Sequence, residues 1–252
     1  MADQEIAKHT KKVLQLIGQK EHGWRHKLAE MAQEIIIIVF AVSLSIWLHG
    51  WFEHRQEQQE VKTFLLGLRQ DVQRDIALLA DIAAADHLFD ANFAYLAKLA
   101  PGTAADAQPF NAAYDKITNN FFFTPQNSRF DGFKSSGKLT NIEQEALLEH
   151  ILTLYQSKYP EIRNSQNGWS HTQDELTDYL EKGLVGDDGT AERYALIVAP
   201  KGKRLLRRAA TQAQLYQRYK DYAAVATRIV AEIDQLYLAA TAATAATVAQ
   251  HG

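Results

Sequence analysis

The strongest constraint in this sequence is an unbroken apolar run, IIIIVFAVSLSIWLHGWF, from Ile35 to Phe52. The run has 18 residues and contains no Lys, Arg, Asp or Glu. As an α-helix it would be about 27 Å long, close to the ~30 Å hydrocarbon core of a bilayer. The run therefore predicts one membrane-spanning helix, to which we assign residues 34–54.

Tryptophan residues flank the run at the spacing of two membrane interfaces. Trp24 precedes it, and Trp47 and Trp51 lie near its end. On one helix Trp24 and Trp51 would lie about 40 Å apart, near the ~40–45 Å thickness of a bilayer with its headgroups. Trp is enriched at both interfaces, so this spacing favours a span. The alternatives are a buried core helix, since the run is short for a span, and a cleaved signal peptide, which its late start and the missing cleavage site disfavour.

The residues before the run are more basic than those after it. Six basic residues precede the run, and three follow it up to Arg69: Lys8, Lys11, Lys12, Lys20, Arg25 and Lys27, against Arg55, Lys62 and Arg69. Cytoplasmic flanks of spans are enriched in Lys and Arg. Residues 1–33 are therefore predicted to be a cytoplasmic, basic amphipathic segment, and residues 55–252 an extracytoplasmic domain. In a bacterium with two membranes, the span would lie in the inner membrane and the domain in the periplasm.

The residues after the run have the pattern of a helical bundle. Gly and Pro are sparse, at 13 and 5 residues, which favours helix. Apolar residues recur at the spacing of one helix face: Val61, Phe64, Leu65, Leu68, Val72, Ile76 and Leu79. The predicted fold class is all-α, with one N-terminal transmembrane helix continuing into an extracytoplasmic antiparallel helical bundle. We expect this helix to stop at Pro101-Gly102 and to be interrupted between Ala83 and His87.

Further helices are predicted along the domain, at residues 110–118, 127–136, 142–158, 172–181 and 205–248. Gly137 is assigned the left-handed position that caps a helix end. Asn141 is the expected N-cap of the next helix, and Pro160 is expected to end that helix. The Gly-rich stretch 184–202 is predicted to be irregular. The aromatic loop around 121–123 is expected to pack onto the bundle, because exposed aromatic patches are unfavourable.

Two segments carry a recognisable pattern. The first begins QEIIIIV at Gln33 and runs to Trp51, and the second is FDGFKSSGKLTNI, from Phe130 to Ile142. Together they resemble an uncharacterised bacterial family of single-pass membrane proteins, whose members begin with a GEII-LVVIGILIAL-x-INNWNE-like segment and later carry a Y/F-x-x-L/F-x-x-S/T-G-x-L-x-x-I turn. This chain has Gln33 in place of the usual Gly and HGWFE in place of NNWNE. The resemblance implies a membrane anchor and a helical body, and it implies no activity.

No residue pattern predicts catalysis or a bound cofactor. Cys is absent, which excludes disulfides, thiolate chemistry and Cys-ligated metals. The net charge of −3 does not favour nucleic acid as a partner. We interpret His22 and His26, His150, and the carboxylate pair Asp71 and Asp75 as solvated surface groups rather than metal ligands or an acid–base pair. The sequence therefore predicts no catalytic residues, no metal, no cofactor and no enzymatic activity.

One basic cluster is unusual for its position. Five basic residues lie at the start of a predicted helix, where the helix dipole disfavours cations: Lys201, Lys203, Arg204, Arg207 and Arg208. Such a cluster needs an anionic neighbour, and Asp187 and Asp188 are the internal candidates. The alternative is an external anion, such as lipid headgroups, a polyanionic envelope component or an acidic protein surface.

Polar and aromatic residues of the predicted span are candidate contacts with the membrane or a partner: Glu34, Ser43, Ser45, Trp24, Trp47 and Trp51. Glu34 either reaches the headgroups or pairs with a donor on a partner helix. The leading hypothesis is a non-enzymatic structural or accessory subunit of a larger membrane complex. Its partners would be the lipid bilayer and an integral membrane protein or a second copy of the chain. The alternative is a membrane-anchored sensory or ligand-binding helical module, and an enzyme is the least favoured hypothesis.

Overall fold

The structure is a computed structural model that describes residues 2–250 except 103–105, 118–120 and 187–188, with side-chain surroundings for Trp24, Leu28 and residues 31–237 outside those gaps. The α-helices of this part are α1 Ala2–Lys98, α2 Ala107–Tyr114, α3 Ser128–Ser135, α4 Glu145–Thr153, α5 Tyr159–Gly183, α6 Thr190–Val198, α7 Pro200–Ala209 and α8 Ala213–Gln250. A 3₁₀ turn, Lys138–Asn141, precedes α4, and a π-helical turn, Leu154–Lys158, joins α4 to α5. These residues contain no strand, which confirms the predicted all-α class.

The helix α1 is 97 residues long and has no interruption. The predicted break between Ala83 and His87 is therefore wrong. Consecutive Ala residues there are strong helix formers, and Ile82 and Asp86 on either side are buried. The helix ends at Lys98, before Gly102 takes a left-handed φ of 79°, so the predicted stop is confirmed.

The chain forms two compact units, residues 1–59 and 60–252. In the first unit every side chain from Ile35 to Phe52 is exposed, and none of the apolar run is buried. A core helix of a soluble protein would bury most of such a run, so this exposure disfavours that alternative. The described part of the chain thus has one helix that is long and apolar enough to cross a membrane.

The second unit is a helical bundle in which α1 and α8 lie antiparallel. Side chains of ascending number on α1 bond side chains of descending number on α8: Arg69 with Asp234, Asp75 with Tyr222, Asp86 with Tyr219 and Asp90 with Tyr216. The predicted apolar face of α1 is buried along this interface, except that Ile76 is only partly buried.

Two apolar clusters form the interior of the bundle. The first contains the bundle residues of α1 nearest to Glu60, and we call it the proximal core. It includes Val61, Leu68, Leu79, Ile151, Leu154, Tyr155, Trp169, Tyr222 and Ile229. The second, the distal core, includes Phe89, Phe93, Leu96, Phe110, Leu176, Ile197, Leu205 and Leu206. The proximal core contains one apolar face of α4, which extends through the π-helical turn: Leu147, Ile151, Leu154 and Tyr155.

Several predicted boundaries are wrong. Pro160 does not end a helix but lies in the first turn of α5, where its missing N–H and fixed φ are tolerated. The stretch 184–202 holds α6 and the start of α7, and the expected helix from residue 205 is divided at 210–212. Extended backbone at Ala210 ends α7, and Trp169 Nε1 donates to the Ala209 carbonyl oxygen at 2.8 Å. A distant indole thereby satisfies a carbonyl at the end of the helix.

The turn before α4 follows the prediction at one residue and not at another. Gly137 has φ 74°, in the left-handed region, as predicted. Asn141, however, lies in the 3₁₀ turn, and α4 begins after Gln144 without a side-chain cap.

The aromatic loop packs onto the bundle only in part. Phe123 is buried, with its ring centroid 5.0 Å from that of Tyr222. Phe121 and Phe122 stay 47% and 45% exposed, although their rings lie beside Phe89 and Trp169.

Candidate functional site

A line of carboxylates runs along the buried face of α1. Asp71, Asp75 and Asp86 are buried, and Asp90 is half-buried. Their spacing places them on the same face as the apolar residues that pack against α8. The interpretation of Asp71 and Asp75 as solvated surface groups is therefore wrong. The available signal was their register with that apolar face, together with three Tyr residues at intervals of three on α8.

Asp75 is bound by neutral donors. Its Oδ1 accepts the backbone N–H of Gln126 at 2.9 Å, and its Oδ2 accepts the Tyr222 hydroxyl at 3.3 Å. Burial raises the pKa of Asp75 to about 6, the two hydrogen bonds oppose the rise, and the charge of Asp71 adds to it. The carboxyl group therefore changes charge near neutral pH inside the bundle.

Asp86 is fully buried and only half satisfied. Its Oδ2 accepts the Tyr219 hydroxyl at 3.1 Å, and the Tyr219 oxygen accepts Gln166 Nε2 at 3.1 Å. Its Oδ1 is buried and has no hydrogen-bond partner among the described residues. Burial raises the pKa of Asp86 to about 7, the Tyr219 hydrogen bond opposes the rise, and the charge of Asp90 adds to it. A protonated carboxyl avoids the cost of a buried charge without a cation.

Asp71 and Asp90, at the two ends of the line, differ from Asp75 and Asp86 in partner or in burial. Asp71 accepts Arg129 Nε at 2.8 Å, and Arg74 approaches its other oxygen at 3.7 Å. Asp90 accepts the backbone N–H of Thr211 at 2.8 Å and the Tyr216 hydroxyl at 2.9 Å. The two ends of the carboxylate line thus differ from its middle: Asp71 has cationic partners and Asp90 is half-buried, whereas Asp75 and Asp86 are buried with neutral donors.

A second poorly satisfied group lies on α5. Gln173 is 2% exposed, and in the part of the chain that the structure describes neither its amide nitrogen nor its amide oxygen has a hydrogen-bond partner. Two turns earlier on the same face, Gln166 is bonded to Tyr219. Unpaired buried polar atoms are costly in proteins and call for an explanation such as bound water or a ligand.

This arrangement does not resemble a catalytic cleft. Acid–base catalysis needs a perturbed carboxyl group that a substrate can reach, and Asp75 and Asp86 are fully buried. An open pocket between α5 and α7 is lined instead by Glu175, Asp178, Tyr179, Lys182, Gly183, Lys201 and Leu205. Lys182 lies 2.6 Å from Asp178 there, so the pocket contains paired surface charges.

No group of three or more His, Asp or Glu side chains in the described residues could hold a metal ion. His150 is half-buried rather than solvated, with Nδ1 3.0 Å from Glu232 and Nε2 3.3 Å from Arg228. The side chains of His22 and His26 lie outside the described residues.

The predicted membrane contacts are all exposed on α1. This holds for Glu34, Ser43 and Ser45 and for the three Trp residues, of which Trp24 and Trp47 are more exposed than Trp51. Their contact with lipid or with a partner stays a prediction.

The basic cluster lies on α7 and extends into its last turn, which contains Arg207 and Arg208, so the predicted position of all five at the start of a helix is wrong. The structure gives partners to two members of the cluster. Arg208 pairs with Glu175 at 2.7 Å, and Lys201 Nζ lies 4.9 Å from the centre of the Tyr179 ring. The internal pairing predicted for Asp187 and Asp188 lies outside the described residues. The other three basic residues form no ion pair with a described residue: Lys203, Arg204 and Arg207.

No protein-family model matches the chain, and neither the curated proteins nor the solved structures contain a significant match. The resemblance to the single-pass family stays a prediction that rests on the two segments quoted for it.

Proposed function

We propose that the protein is a non-enzymatic single-pass protein of the bacterial cytoplasmic membrane that acts as a structural or accessory subunit of a larger membrane complex. The observation that carries the proposal is the complete exposure of Ile35–Phe52 on α1. Exposed apolar surface costs roughly 25 cal/mol per Å² in water, and a hydrocarbon core removes that cost.

A lateral partner is supported by the polar residues of the span. Helices associate in membranes through small residues and interhelical hydrogen bonds. Ser43 and Ser45 are small and polar, and Glu34 is an ionisable group at the edge of the apolar run. Such a carboxyl group is expensive against lipid and favours a donor on another helix.

Copurification tests the accessory function. The full-length chain is extracted from native membranes in mild detergent, and we expect an integral membrane protein or a second copy of the chain to accompany it. Ser43→Leu with Ser45→Leu should reduce that association while membrane retention is kept. Val42→Leu with Ile46→Leu, an apolar replacement in the same stretch, is the matched control. A lone monodisperse monomer would refute the accessory role.

The buried polar atoms favour one alternative, a membrane-anchored sensory or ligand-binding module. Asp86 Oδ1 and both amide atoms of Gln173 have no hydrogen-bond partner in the described protein. A small solute that supplied those bonds would raise the melting temperature of the full-length chain in detergent. The shift should disappear in Gln173→Leu and persist in Gln70→Leu, which replaces an exposed Gln. A screen of small solutes without any shift would reject this alternative.

A further inference from the structure

The helix α7 has an apolar side and a basic side with no mixing between them. Leu205, Leu206 and Ala209 are buried, and Gly202 packs so closely that a Cβ there would lie 2.1 Å from the Leu196 carbonyl oxygen. At about 100° per residue, the opposite side spans roughly 160° and carries every basic residue of the helix. We call this side the basic face: Lys201, Lys203, Arg204, Arg207 and Arg208.

Among the described residues, partners of the basic face lie along one of its edges. That edge faces α5, where Glu175 binds Arg208 and the Tyr179 ring lies beside Lys201. The remaining three members form no ion pair within the described part of the chain: Lys203, Arg204 and Arg207. Arg207 lies three residues from Arg204 and four from Lys203, where like charges repel. Lys203 and Arg204 also lie near the positive end of the helix dipole, whereas Arg207 lies in the last turn. An external anion would lower the free energy of this surface.

The shape of the basic face selects the kind of anion. The cations diverge from a convex helix about 15 Å long, so a single small anion would contact only one or two of them. An extended polyanion can follow the helix and contact several at once.

An anionic bilayer fits the basic face less well than a polymer does. The apolar residues of α7 are committed to the distal core, so none is available to insert among lipids. Glu175 and Asp178 flank the face and are paired with Arg208 and Lys182, so this edge offers little net positive charge to a flat anionic surface, whereas a narrow chain can follow the remaining cations. The backbone N–H of Thr211, just after α7, bonds Asp90. Asp90 lies about 45 Å along α1 beyond Glu60, the first residue of the bundle. The end of α7 therefore lies at the end of the bundle remote from Glu60.

We propose that the basic face of α7 binds an extended anionic polymer bearing phosphate, sulfate or carboxylate groups. The inference does not depend on the accessory function, because it rests on charge and shape within the bundle.

Polyphosphate binding by the full-length chain in neutral-lipid nanodiscs tests this inference. We expect saturable binding at about 50 mM salt, with neutral dextran giving none. The logarithm of the binding constant should fall against the logarithm of salt concentration with a slope of about −2, since three cations contribute about −0.7 each. Lys203→Gln, Arg204→Gln and Arg207→Gln together should weaken binding about tenfold or more and flatten that slope.

A matched triple variant controls for net charge. Lys116→Gln, Arg163→Gln and Lys220→Gln remove three exposed cations from other helices or their ends and should leave binding unchanged. Equal melting temperatures of the two variants would show that the loss is not due to unfolding. Equal weakening by both variants, or no polyphosphate binding by the parent, overturns the proposal. Binding to anionic-lipid vesicles that exceeds polymer binding and requires the basic face would assign the surface to a membrane and overturn it as well.

Discussion

Asp75 and Asp86 show how burial changes the chemistry of one residue type. Both hydrogen-bond Tyr hydroxyl groups of α8, and no cation hydrogen-bonds either carboxyl group in the described protein. Asp71, one turn before Asp75, has Arg129 and Arg74 beside it. Asp71 differs from Asp75 and Asp86 in having cationic partners. Burial alone favours the neutral acid, whereas a nearby cation favours the carboxylate.

The first residue-scale prediction concerns pH. The pKa of Asp75 is raised from 3.8 to about 6, and that of Asp86 from 3.8 to about 7. Between these values the folded state keeps protons that the unfolded state releases, so stability decreases with rising pH. The stabilisation is fully present below about pH 4 and is lost as the pH rises through about 6 to 7. Asp75→Asn with Asp86→Asn should flatten this dependence in thermal unfolding of the full-length chain in detergent.

The exposed carboxylate Asp81, on the same helix, provides the control for this measurement. Asp81→Asn should keep the pH dependence of the parent. The neighbouring groups Asp90, Asp71 and Tyr155 are unchanged in all variants. Identical pH profiles for the parent and the double variant would contradict the assignment.

The second residue-scale prediction concerns the turn at Gly137. Its φ is 74°, and an added Cβ would meet no atom within 4 Å, so the cost of a side chain comes from the backbone alone. Gly137→Ala should destabilise the protein by about 1 kcal/mol, and Gly137→Val by more, because a Cβ is disfavoured in the left-handed region. Gly132→Ala is the control, since Gly132 lies inside α3 with equally open space. Its Ala variant should be neutral or stabilising in thermal unfolding. Equal melting temperatures for the parent and both Gly137 variants would show that a side chain at this position causes no backbone strain.

At the scale of one element, α1 combines two kinds of surface on a single helix. Its apolar run is exposed around the whole helix, whereas residues from Val61 onward are apolar on one face only. The first pattern is typical of a helix surrounded by lipid, and the second of a helix packed on one side.

A charge placed in the run distinguishes these surfaces. Ile38 is exposed, so Ile38→Arg would cost little in water but about 2.5–3.5 kcal/mol near the centre of a bilayer. We expect loss of the variant from the membrane fraction. Gln70→Arg introduces the same charge at an exposed position of the bundle and should stay in the membrane. Full membrane retention of Ile38→Arg would contradict the proposed span.

At the scale of the whole molecule, the orientation in the membrane is a matter of charge distribution. Six Lys and Arg residues precede the span, and three follow it up to Arg69. A reporter that is active only in the periplasm, fused after Gly252, should therefore be active. A cytoplasm-specific reporter at the same position is the control and should be silent. The reverse result would invert the proposed topology.

The features that the sequence alone determined are local ones. The apolar run, the 3.6-residue stripe after Val61 and the left-handed turn at Gly137 each depend on residues close together in the chain. Periodicity and backbone sterics act over that range, so these predictions agree with the structure. The same reasoning found the basic cluster of α7 but not which of its members have partners.

Tertiary structure decided the features whose partners are distant. Asp75 meets Tyr222 across 147 residues, and Asp86 meets Tyr219 across 133, so no local pattern showed that these carboxyl groups bond Tyr hydroxyl groups rather than water. The same holds for the end of α7, where Trp169 binds the Ala209 carbonyl oxygen. The free energy of a buried polar group depends on whether the opposing helix supplies a donor, and only the packed bundle determines that.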